Sequence, residues 1–343
     1  MTAPADVGFH ARRHARWHWA EIIFWIAALS CAFIFPSRYL IMTDIVRLGL
    51  FAVSLDLILG YAGIVSLGHA AFFGVGAYCA GLLALHGVIT EPVIALVVAG
   101  LAAGVLGFIT SFLVIRGADL TRLMVTLGIA LLLEALAERY SNITGGTDGL
   151  QGIEMQPILG LFTFDMFGKT GFFYSLAVTF LLFLLARRIV HSPFGLSLRA
   201  IRNNPLRAAA IGIPVNRRLI AIYTVAAFYA GVAGALFTQT TALASLDVFD
   251  FNRSADLMLV LVMGGTGYLY GGLIGAVVFR MMQDVFSIIT PQYWQFWIGA
   301  VLVAIVLIGR ARLHRWVLWL PNLAITHFAG RKAAVAVPEG DAS

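Results

Sequence analysis

The chain has 343 residues, 60% hydrophobic and only 12% charged, with a mean hydropathy of +0.91. A water-soluble domain of that length needs far more polar surface, so a soluble enzyme or soluble binding module is excluded. The formal charge of +6 does not point to nucleic acid, because the basic residues sit mainly in short segments between apolar runs, where they mark one face of a membrane.

The N-terminal segment 1–19 is basic, with Arg12, Arg13 and Arg16 among His and Trp, and fits an anchor on the inner membrane face. The apolar run 22–35 follows those charges as a signal peptide would. It lacks a small-residue cleavage site and more spans follow, so it is expected to be the first crossing. Apolar runs lie near 20–36, 39–58, 65–85, 92–115, 120–139, 171–190, 218–243, 254–263, 272–289 and 293–309. They are continuous rather than alternating, and in hydrocarbon such a run satisfies its backbone as a helix. The expected fold is all-α: a polytopic transmembrane bundle of about 8–10 crossings over residues 20–310, with a short polar tail, 311–343. Cys31 and Cys79 fall inside apolar runs and read as small core residues.

With the N-terminus inside, the inner segments carry Arg116, Arg122, Arg187, Arg188, Arg199, Arg202, Arg207, Arg217, Arg218 and the basic tail. The outer segments carry only Arg38, Arg139, Lys169 and Arg253. Both termini are therefore expected in the cytoplasm. Residues 140–170 form a glycine-rich external loop, and residues 191–217 a basic internal one. In the internal loop 197–202 and 205–211 favour helix, with Pro205 suited to a first turn. Ile201, Leu206, Ala209 and Ile213 are expected to share one apolar stripe. Such a helix either lies among lipid headgroups or docks in a groove on a soluble partner.

Four stretches, in order, resemble the LivM-type permeases of branched-chain amino acid ABC importers. They are DLILGYAGIVSLGHAAFFGVGAYCAGLL (56–83), TGGTDGL (144–150), LRAIRNNPLRAAAIGI (198–213) and LVMGGTGYLYGGLIGA (261–276). The resemblance covers roughly residues 39 to 310. It implies a coupling segment gripped by an ATPase, carried here by Arg199, Arg202, Asn203, Pro205, Arg207, Ala208, Ala209 and Gly212. It also implies a paired homologous permease, two ATPase subunits, an extracytoplasmic substrate-binding protein and a bacterial-type inner membrane. Substrates of such importers include branched-chain amino acids, with amides, urea and, in related folds, sugars as alternatives. A proton-coupled secondary transporter is a broader rival that needs no ATPase.

Ser66, Gly68 and His69 lie within the first of these stretches and are candidates for the translocation path. His69 can equally tie two helices by a hydrogen bond, and glycines at 60–68 can let a helix break so that backbone dipoles meet a polar substrate. Charges inside spans cost about 2.5–3.5 kcal/mol at the centre and need partners. Asp44 and Arg47, three apart, can pair; Glu134 and Glu138 share a face, with Arg139 or Arg47 available to neutralise one. Glu134 is a cavity-lining candidate or one half of a structural ion pair. Asp256 and Arg280 lie nearer span ends.

No catalytic residues, metal-ligand cluster or cofactor site are expected in this chain. Gly168-Lys169-Thr170 is no phosphate loop, because position 163 is Thr where GxxxxGK[ST] needs Gly. GTGYLYG (265–271) is one residue too long for GxGxxG.

Overall fold

The structure is a computed structural model that describes residues 19–117, 119–165 and 167–308. The N-terminal segment 1–18 and the tail from residue 309 lie outside the described residues. So does most of the basic charge expected at the two ends of the chain. Helices account for each of the ten apolar runs: α1 (Trp19–Ile34), α2 (Tyr39–Ala62), α3 (Ala70–Leu85), α4 (Pro92–Val114), α5 (Asp119–Arg139), α6 (Lys169–Val190), then α9 (Val215–Thr241), α10 (Phe251–Gly264), α11 (Leu269–Ile289) and α12 (Trp294–Ile308). Two short helices, α7 (Pro193–Asn203) and α8 (Pro205–Ala210), fill the internal loop. Among the described residues, six helices are long and apolar enough to cross a membrane: α2, α4, α5, α6, α9 and α11. At 1.5 Å per residue, α3 and α10 reach only about 24 and 21 Å, less than a full hydrocarbon core.

The chain divides into two compact units, Met1–Arg280 and Met281–Ser343, with α11 running through the boundary. In the second unit, Phe286 and Trp297 lie 6.5 Å apart, ring to ring. The first unit is organised around α9, which packs on α2, α3 and α4. In lipid no hydrophobic force drives helices together, so close approach depends on small residues. α9 presents Ala226, Ala227, Ala230, Gly231, Ala233, Gly234 and Ala235, all buried. A β-carbon on Gly76 of α3 would run into the backbone of Gly231, and one on Gly231 would run into Ala103 of α4.

Outside these spans, Leu150 and Ala244 form an antiparallel bridge, Leu150 N donating to Ala244 O at 2.8 Å and Ala244 N to Leu150 O at 3.1 Å. The TGGTDGL turn reaches this bridge through Gly149, at φ 69°, where a side chain would strike Ala244. Asp165 then holds the start of α6 by accepting from Lys169 N at 3.2 Å and Thr170 N at 2.9 Å. Burial alone would raise its carboxyl, but those amides hold it below the ordinary carboxylate range.

Candidate functional site

The internal loop folds as two helices at an angle, for local reasons. Ser192 caps α7 by accepting from Gly195 N at 3.4 Å, with Pro193 in the first turn. Pro205 forces Asn204 into an extended conformation (φ −160°, ψ 102°), which ends α7. The Asn204 side chain then accepts from Arg207 N at 3.0 Å and starts α8. α8 stops at a left-handed Gly212 (φ 85°), with Gly212 N donating to Ala209 O at 2.9 Å and Ile213 N to Ala208 O at 3.0 Å. That pair of bonds is the Schellman closure that an αL glycine permits.

The break corrects one expectation. Ile201, Leu206, Ala209 and Ile213 do not form one stripe: Ile201 is buried at 3% exposure while Leu206 is 83% exposed. Asn204 leaves the helix between them, so helical periodicity does not carry across. The result is a segment with two faces. α7 buries Gly195, Leu198 and Ile201 against the bundle. α8 buries only Ala208 and presents Leu206, Arg207, Ala209, Ile211 and Gly212 outward.

The arginines divide the same way. Arg202 turns inward and donates to the backbone oxygen of Gly60, one of the carbonyls left open at the end of α2. Arg199 lies over the Tyr61 ring at 5.3 Å. One turn earlier on α2, the fully buried Asp56 accepts from Gly267 N at 2.7 Å, in the turn joining α10 to α11. Gly60 lets the three elements meet, since a β-carbon there would strike both Asp56 and Gly267. A groove of about 570 Å³ opens at this junction, with Arg199, Arg202, Asn203 and Arg187 on its wall. Arg187 pairs with Glu21 of α1 at 2.6 Å.

The second region is deeper. After α2 the chain is non-helical over 63–69, and α3 begins only at Ala70. His69 Nε2 lies 2.9 Å from Ser54 Oγ, and its ring stacks on Phe51 at 5.7 Å. Ser54 Oγ donates to Phe51 O at 2.5 Å, so its remaining role is acceptor and the network assigns the His69 proton to Nε2. Nδ1 is then an acceptor, and it is buried without a partner among the described residues, as is Ser66 Oγ. Leu67 N donates to Thr126 Oγ1 of α5 at 3.2 Å, and Ala70 N to Ser254 Oγ of α10 at 3.0 Å. Gly68 sits against the Thr126 carbonyl with no room for a side chain. The first turns of α3 and α10, two short helices, therefore meet at Ala70 and Ser254, and their positive ends converge there.

Glu134 has no ion-pair partner among the described residues; Asp247 and Asp250 are its nearby charges besides Glu138. Arg47, expected as a possible partner, is taken by Asp44, which also accepts from Arg280 at 2.9 Å. Arg47 further donates to Thr240 Oγ1 at 2.5 Å. Arg253 is not a loop residue: it stands in the first turn of α10 over the rings of Phe237 and Phe73, at 4.9 and 5.5 Å. Sequence reading missed Gly60, Asp56, Gly267, Ser54, Thr126 and Ser254 as joints. Asp56, a charge in an apolar run, and Gly60, one of the glycines of 60–68, carried a signal.

Residues 37–306 match the family described as the permease component of the branched-chain amino acid transport system. The chain belongs to that family. It is 26% identical over 256 residues to the high-affinity branched-chain amino acid transport permease LivM of Escherichia coli, covering 68% of this chain and 59% of that protein. It is 27% identical over 248 residues to a probable LivH of Methanocaldococcus jannaschii, covering 69% and 76%. The galactose/methyl galactoside import permease MglC of Haemophilus influenzae is 28% identical over 239 residues, covering 65% and 68%. The matched region thus spans less than two thirds of the own length of LivM from Escherichia coli and Salmonella typhimurium. No solved structure matches. The permease family and the six long apolar helices make this a multi-pass membrane protein.

Proposed function

We propose that this chain is the membrane-spanning permease subunit of an ATP-driven importer that moves branched-chain amino acids inward by alternating access. The observation that carries the reading is the junction of Arg202 with Gly60 and of Asp56 with Gly267. Through it, a push on α7–α8 reaches the end of α2 and the α10–α11 turn. α10 in turn holds Ala70, where the non-helical segment ends. A handle on one face is thus tied to the broken helices in the interior.

That interior suits a polar cargo. Two half-helix N-termini converge at Ala70 and Ser254 and favour a carboxylate. Among the described residues Ser66 Oγ and His69 Nδ1 are buried with nothing to bond, which costs about 1–3 kcal/mol each. Groups left so in one conformation gain partners in another, and this is what a two-state transporter requires. Ser66, Gly68 and His69 are proposed to border the path, and Glu134 to face it from α5.

On this reading the basic internal loop and both termini face the cytoplasm of a bacterial-type inner membrane. The partners are a homologous permease, two ATPase subunits that bind α8, and an extracytoplasmic binding protein. ATP hydrolysis belongs to the ATPases. The likeness to MglC keeps a sugar importer as the second reading. To test the coupling role, Arg207→Asp and Gly212→Asp are made separately and ATPase co-purification and uptake of labelled leucine are measured. Both are expected to fall at least tenfold, because a buried carboxylate in the contact costs several kcal/mol. Unchanged association and uptake would remove the assignment. A wild-type chain that transports with no ATPase present would favour a secondary transporter.

A further inference from the structure

A second cavity lies on the opposite character of surface: a wholly apolar groove of about 410 Å³ between α4, α6 and α9. Its rims are exposed side chains, Leu101 and Val105 of α4 at 56% and 59% and Leu185 of α6 at 47%. Its floor opens at Gly104, where α4 shows only hydrogen to Thr224 and Phe228 of α9. The helices lie in a fixed register, with Tyr229 Oη donating to Leu182 O at 2.9 Å and Gly107 of α4 against Ala227. Followed in that register towards the internal loop, the three helices carry arginines, the one on α6 standing next to Ile189 of the groove wall. These are Arg116 just beyond α4, Arg188 near the end of α6 and Arg217 near the start of α9, each exposed. No carboxylate belongs to the groove wall.

We propose that this groove is a binding site for an anionic phospholipid, one acyl chain lying along Gly104 and Thr224 and the phosphate held by Arg188 and Arg217. An apolar slot within membrane-crossing helices can be filled by hydrocarbon at little cost, and the exposed arginines on the same three helices select the headgroup by charge. The slot alone would accept any lipid; the arginines give it a preference. The occupant adds a wedge between α4 and α6 on the same end of the bundle as α7, with Arg218 over the Phe194 ring at 5.1 Å linking α9 to that helix.

The test uses the full chain with its co-purifying subunits in bilayer discs of phosphatidylcholine mixed equally with phosphatidylglycerol, with retained lipid read by native mass spectrometry. Two arginines at about 1 kcal/mol each predict phosphatidylglycerol enriched about thirtyfold over phosphatidylcholine. The Arg188→Gln, Arg217→Gln double variant is expected to bring that ratio near one. Gly104→Leu, whose β-carbon meets only ordinary contacts, is expected to lower retention of both lipids. Equal retention by the wild type, or enrichment untouched by the double variant, overturns the proposal. So does a cross-link from Val105→Cys to the second permease chain, which would put protein in the groove.

Discussion

Ser54 and Ser66 show how differently two buried hydroxyls can act. Ser54 Oγ accepts the His69 Nε2 proton, so Ser54→Ala leaves a buried donor unpaired and should cost about 1–3 kcal/mol. Ser66 Oγ has nothing to lose among the described residues. Ser66→Ala should therefore leave thermal stability equal or higher while lowering uptake, since a group kept unsatisfied in one state is kept for another. Melting curves of the detergent-purified protein and transport assays on the same two variants decide this. A Ser66→Ala protein less stable than wild type, with unimpaired uptake, would make Ser66 a packing residue. His69 is held by Ser54 and Phe51 whichever way that result falls.

At the scale of elements, the three-helix contact of α3, α4 and α9 depends on hydrogen where other residues carry a β-carbon. Gly76→Val places two methyl groups where the Gly231 backbone already lies. Since overpacking costs about 1–3 kcal/mol and backbone must move here, a loss at the upper end of that range is expected. Gly128→Ala on α5 meets nothing within 4 Å and should be neutral or slightly stabilising. The fraction of each variant that stays monodisperse after heating separates the two. Equal behaviour would mean that α3 and α9 do not approach as described. The same logic explains why α3 and α10 are short: their first turns bond to each other at Ala70 and Ser254, inside the bundle.

For the whole molecule the deciding question is which way it sits. On the proposed orientation, the arginines in 187–218 lie on one side, against the sparse Arg139 and Lys169 on the other, and α8 faces the cytoplasm. In intact cells a cysteine at exposed Ala209 should resist an impermeant maleimide, and one at exposed Gln151 should react. The reverse pattern would overturn both the orientation and the ATPase contact, because α8 would then face away from cellular ATP.

Helices over the ten apolar runs, and the polar segment 140–170 and basic segment 191–217 between them, were legible in the chain itself, since the cost of placing charge or open backbone in hydrocarbon allows few other arrangements. The glycines of 60–68 pointed to a break in the 56–83 stretch, and Asp44 and Arg47 to an ion pair, because both effects act within a turn or two. Which side of α7 and α8 meets the bundle was not legible, as the kink at Asn204 resets the helical phase between Ile201 and Leu206. Nor were the joints Gly60–Arg202, Asp56–Gly267 and Ala70–Ser254, whose members stand 142, 211 and 184 residues apart. Local chemistry assigned the segments to lipid or water; only the packed bundle decided which distant carbonyl, amide and hydroxyl would satisfy one another.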